Sequence, residues 1–174
     1  MKHLLLLLPL AACAADPSYS LKKDTNTLTH KAYHYYGLSE NKDRKLIKEI
    51  TGVDPVNTEW CAAFVNMVLL EQELPTSATV SDYPLMARSF LFWGDRVTGE
   101  PQQGDVMVFE RGSNGWQGHV AFYVSDTTIN GELYYNVLGG NQSDSVSIEP
   151  YPASKLLSVR RIDPKQQLQL AGIY

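Results

Sequence analysis

The chain changes its hydrophobic period once, near Gly104, and that change limits the folds open to it. Before it, helical character runs over Leu28 to Tyr36, Asp43 to Ile50 and the apolar stretch from Cys61 to Leu70, which Pro75 closes off. A fourth helical stretch, about Pro84 to Trp93, opens on proline and stops at Gly94. After Gly104 come five short β-branched or aromatic runs, GDVMVFE, HVAFYVSD, ELYYNVLG, SVSIEPY and LLSVRRI, separated by Gly, Asn, Ser and Pro. Helices first and strands afterwards predict an α+β domain whose antiparallel sheet packs on the helices. The last residues, KQQLQLAGIY, fit either a final helix or a loose tail.

With 44% hydrophobic and 20% charged residues, the 174-residue chain has ordinary globular composition. A formal charge of -4 gives no basic footprint for nucleic acid and no polybasic membrane patch. The start, MKHLLLLLPLAACAAD, reads as an export signal: Lys2, a short apolar run from Leu4 to Leu10, then small residues. Leu10-Ala11-Ala12-Cys13 resembles a lipoprotein signal in which Cys13 is acylated, while Ala12-Cys13-Ala14 fits an ordinary cleavage site. The expected organisation is a signal peptide over 1–12, a flexible tether over 13–29 and one domain over 30–174. The chain would be exported to the periplasm, either anchored by lipid on Cys13 to the outer membrane or soluble and secreted.

With Cys13 in the anchor or at the cleavage site, Cys61 is the cysteine left for the folded domain. Taking Asn57 or Thr58 as helix cap puts Cys61 in the first turn, where unpaired amides and the helix dipole favour a thiolate. The plainer reading is a small buried hydrophobe. A catalytic thiol also needs a base. His30 and His34 share one helix face but have no acid ligand between them, so they read as surface residues rather than a metal site. His119 opens a strongly β-forming run after Gly118 and is the candidate base.

The group that orients His119 should lie on the next strand. If Asn130-Gly131 is a two-residue turn, His119 faces Gln142. If Ile129, Asn130 and Gly131 form a three-residue loop with a bulge, it faces Asn141. Spacing alone leaves both open.

The ordered blocks EWCAAFVN, GDVMVF, GHVAFYV and VLGGNQ resemble the CHAP family, cysteine- and histidine-dependent amidohydrolases and peptidases of the NlpC-type papain-like superfamily. The resemblance covers about residues 31 to 162 and implies a papain-like α+β fold without metal or organic cofactor. It implies Cys61 as nucleophile, His119 as base and Asn141 as the third polar residue, which favours the three-residue loop. Many members carry glutamate two residues before that asparagine, where this chain has Gly139. The implied function is a monomeric peptidoglycan hydrolase cutting either the sugar-to-stem amide or a peptide bond within or between stems. Glu59, Trp60, Trp116 and Gln142 are candidate substrate contacts, and the Cys61 N–H is a candidate oxyanion donor. Trp93 is expected to pack, Asp105 to cap a turn and Arg88 to make a surface ion pair. Two other readings stand beside this one: a wall-binding or inhibitory lipoprotein without turnover, and acyl transfer or proteolysis on a non-wall substrate.

Overall fold

The computed structural model describes residues 27–162. The expected signal peptide, Cys13, most of the tether and the KQQLQLAGIY segment lie outside them. The architecture is α+β, with helices α1 (Leu28–Tyr33), α2 (Glu40–Thr51) and α3 (Cys61–Glu71) preceding most of the sheet. The sheet holds β1 (Asp95–Arg96), β2 (Val106–Glu110), β3 (Gly118–Ile129), β4 (Glu132–Gln142), β5 (Ser145–Pro152) and β6 (Leu156–Arg161). Its six strands run in the order β1-β6-β2-β3-β4-β5, each pair antiparallel. The five β-forming runs of the sequence are therefore all strands, and the two-residue edge β1 is an addition too short to show a period.

Helix α1 begins inside the expected tether. The Thr27 side chain caps it by accepting from His30 N–H, and Thr29 is buried. Thr29 donates to the Tyr123 carbonyl and accepts from Gly104 N–H, both at 2.7 Å, which pins the helix to β3. The stretch expected as a helix from Pro84 to Trp93 is instead a turn followed by 3-10 helix over Ala87–Phe92. Its Trp93 is buried as expected, donating to the Pro75 carbonyl.

Helix α3 is buried nearly all round, so its residues show almost no preferred face. Its one interior polar residue, Asn66, donates to the Pro84 carbonyl at 2.9 Å and accepts from Ser77 N–H at 2.9 Å. That pairing satisfies the amide in the core and ties down the segment leading to Leu85 and Met86. The polar cap expected at Asn57 or Thr58 is not used: the cap is Trp60, and Cys61 is the first helical residue. Trp60 is fully buried, edge-to-face on Phe64, with its indole N–H donating to Glu40 at 2.7 Å. Tertiary packing of a large ring, satisfied by a carboxylate twenty residues earlier, thus fixes the helix start in place of a local side-chain cap.

The sheet has a core on each face. Val120, Phe122, Val124, Leu138 and Val146 belong to the core that includes α3, while Met107, Phe109, Ala121, Val137 and Val159 form a second cluster. Alternation along β3 assigns His119 to the second face with Ala121. The sheet curls over that face: Tyr151 of β5 packs on Phe109 of β2 at 5.0 Å and on His119 of β3 at 4.7 Å.

Gly140 lets β4 approach the start of α3. A Cβ there would stand 2.5 Å from Trp60 Cζ3 and 2.8 Å from Phe64 Cβ. Gly140→Ala is expected to lower stability by about 1–3 kcal/mol, the usual cost of overpacking. An unchanged urea midpoint would show that the Trp60 seat is slack.

Candidate active site

The site is assembled where the start of α3 meets the start of β3. The Cys61 sulfur lies against two backbone N–H groups, those of Ala62 and of Val120, the residue after His119. The cysteine is 4% exposed and not disulfide-bonded. It lines a cleft of about 440 Å³ together with Glu59, Leu85, Met86, Arg111 and Trp116.

His119 is fully buried. Its Nε2 is 2.9 Å from Gln142 Oε1, and Tyr151 stacks on the ring with an interplanar angle of 2°. The orientation of the Gln142 amide is set by its other contacts. Its Nε2 donates to the Ser147 carbonyl at 2.6 Å and to the Val137 carbonyl at 3.3 Å. An amide nitrogen facing two carbonyls leaves Oε1 toward the imidazole, and an oxygen can only accept. His119 Nε2 therefore carries the hydrogen and Nδ1 keeps its lone pair. That Nδ1 is buried without a hydrogen-bond partner among the described residues.

Asn141 does not contact His119; its side chain donates to Glu59 at 2.6 Å on the rim of the cleft. The assignment of Asn141 behind the imidazole is corrected to Gln142, and the reason lies in two bulges. The turn is the two-residue one, Asn130-Gly131, both left-handed, and pairs from Ile129↔Glu132 to Ser125↔Asn136 keep its register. A bulge at Val124 then gives Tyr123↔Val137 and Phe122↔Leu138, a register that carried onward would set His119 opposite Asn141. Asn141 is itself left-handed at φ 59°, and pairing with β5 shifts between Gly139 and Gln142. This second bulge turns Asn141 out to the rim and swings Gln142 inward.

Gly139 makes that swing possible. A Cβ at this position would stand 2.8 Å from Ala121 Cβ, 3.1 Å from Gln142 Oε1 and 3.3 Å from His119 Nε2. The space that a side chain at position 139 would enter is filled here by the Gln142 amide.

Of the expected substrate contacts, Glu59 and Trp116 reach the cleft, Trp116 at 62% exposure. Trp60 does not, because it is packed under Gly140, and Gln142 lies behind the imidazole instead. Asp105 caps the turn before β2, accepting from Gln102 N–H, and also forms a two-pronged ion pair with Arg161. Arg88 makes a buttress rather than an ion pair, donating to the Gln117 carbonyl at 2.7 Å. Sequence reasoning missed Tyr151 and Arg111. Arg111 follows β2, lies 3.6 Å from Glu59, and its charge favours the Cys61 thiolate while opposing an imidazolium at His119.

Burial dominates both titrations. It pushes the Cys61 thiol up, outweighing the N–H groups of Val120 and Ala62 and the Arg111 charge. Burial thus works against the acidic thiolate expected at a helix start, since a charge taken out of water costs more than partial dipoles return. Burial also lowers His119 to about 4, against a smaller upward pull from Gln142. The resting pair is a neutral thiol and a neutral imidazole.

The lowered His119 has a sign that stability can report. Between about pH 4 and 6.5 the unfolded chain binds a proton that the folded chain refuses, so stability should be lost as pH is lowered through that window. The full effect is roughly 3 kcal/mol for an imidazole lowered from 6.5 to about 4. Urea midpoints at pH 6.5 and 4.5 should drop less for His119→Gln than for wild type; equal drops would place the titration elsewhere.

The CHAP domain model matches residues 53–141, just over half of the chain, taking in Cys61 and His119 and stopping one residue short of Gln142. No curated protein and no solved structure matches the chain. CHAP domains are typically hydrolases, and the match suggests a function of the peptidoglycan-hydrolase type. The chain belongs to the CHAP family.

Proposed function

We propose that the protein is a cysteine amidohydrolase or peptidase of papain-like arrangement that cuts an amide bond of peptidoglycan, with Cys61 as nucleophile and His119 as base. The observation that carries this is the His119 tautomer held by Gln142, which leaves a buried unpartnered Nδ1 on the residue next to the N–H that meets the Cys61 sulfur. Nδ1 takes the thiol proton as sulfur attacks the carbonyl carbon. Transfer in step with attack suits a resting pair that is neutral. The Cys61 N–H at the helix start is a donor for the resulting oxyanion. Collapse breaks the C–N bond, and the imidazolium returns its proton to the departing amine. Water then attacks the thioester, giving a proton to Nδ1, and release of the carboxylate restores the thiol.

The sugar-to-stem amide and a peptide bond within or between stems both present an amide carbonyl to the same pair. We place the site outside the cytoplasm, with Cys13 as a lipid anchor, on the strength of the N-terminal residue pattern. Digestion of purified sacculi tests the chemistry: wild type should release soluble muropeptides and Cys61→Ala none, and the new end group identifies the bond. Equal release by both would overturn the reading.

One observation favours a second reading, a wall-binding or inhibitory lipoprotein: the thiol is buried and its acidity suppressed. Gln142→Leu separates the two readings. A hydrolase should lose activity on the order of 10²-fold, since the base loses its fixed tautomer. A binding protein should keep its affinity for sacculi and show no Cys61-dependent release to lose.

A further inference from the structure

Arg111 stands in the cleft with unused donors. Its side chain is 46% exposed, it makes no hydrogen bond among the described residues, and its one ion pair, to Glu59 at 3.6 Å, is too long for a hydrogen bond. Glu59 is itself engaged by Asn141 at 2.6 Å. The guanidinium thus has a planar fork of donors facing a space that it shares with the nucleophile. Its charge reaches Cys61, His119 and Tyr151, and it lines the same cleft as Cys61. Leu85, Met86 and Trp116 give the cleft an apolar side, so the charged contacts of a ligand concentrate at Arg111 and Glu59, with Gln117 as a neutral polar neighbour. In a chain of net charge -4 this is a local cation rather than a broad basic surface.

We propose that Arg111 is a specificity-determining receptor for a free carboxylate that the substrate carries beside the amide attacked by Cys61. Guanidinium and carboxylate match as a two-pronged pair at ~2.7–2.9 Å, tighter than the contact Arg111 has with Glu59. The favoured substrate class is then a wall peptide whose acidic residue is unamidated, such as a γ-linked glutamate with its α-carboxylate free. Glu59 holds the place that the ligand takes, and its charge opposes the incoming carboxylate. This rests on the cleft being a peptidase site, but ligand preference can be read without turnover.

The test uses Cys61→Ala protein and two tripeptides, Ala-γ-Glu-Lys with the glutamate α-carboxyl free or as carboxamide, titrated by calorimetry and by amide NMR shifts. The free acid should bind about tenfold or more tightly, in line with hydrogen bonds between charged groups. Adding Arg111→Gln should bring the two affinities within about twofold of each other. Adding Glu59→Gln should widen the gap, the opposite sign from a neighbouring site. Equal affinities in the Cys61→Ala parent, binding of neither peptide, or a preference that survives Arg111→Gln would each overturn the proposal. Failure of the hydrolase reading shows separately, as Cys61-independent release from sacculi.

Discussion

The site depends on one buried amide. Gln142 has no solvent to turn to, so its oxygen and nitrogen must each find protein partners or cost about 1–3 kcal/mol. They find a histidine nitrogen on one side and the carbonyls of Val137 and Ser147 on the other. Because carbonyls cannot donate, they decide which end of the amide meets His119, and through it which imidazole nitrogen is basic. Backbone geometry reaches the chemistry by that route: the left-handed Asn141 aims the amide, and Gly139 clears its path. A carboxylate in the same place would leave the two carbonyls without a donor, so glutamine fits this pocket where an acid would not.

The same burial sets the protonation states. A neutral amide behind the imidazole gives an imidazolium less support than a carboxylate would, and the stacked Tyr151 helps to keep water off the ring. The thiol is buried too, so neither partner of the pair is charged before substrate arrives. Arg111 is a countercharge that favours a Cys61 thiolate while penalising a protonated His119. On the proposed reading, a base held low and a thiol held high belong to an enzyme that moves its proton during attack rather than in advance.

Much of this was legible in the sequence. The switch of period near Gly104 located every long strand, because alternation and turn residues are local properties. Cys61 and His119 stood out because few residue types can serve as nucleophile and base. The choice between Asn141 and Gln142 was visible but undecidable, since two bulges shift the register in opposite senses. Trp60 misled in the other direction: its polar partner, Glu40, is remote in sequence, so the helix start could not be read from local caps. Tyr151 and Arg111 gave no signal, one because it reaches His119 only through the curl of the sheet, the other because it sits on a loop.

The state of the His119 ring tests the central claim most directly. Long-range nitrogen–proton NMR of selectively labelled histidine at neutral pH distinguishes a protonated ring nitrogen from one with a free lone pair. The expected spectrum shows His119 neutral, with hydrogen on Nε2 and an unprotonated Nδ1. Hydrogen on Nδ1, or an imidazolium at neutral pH, would contradict a base oriented by Gln142.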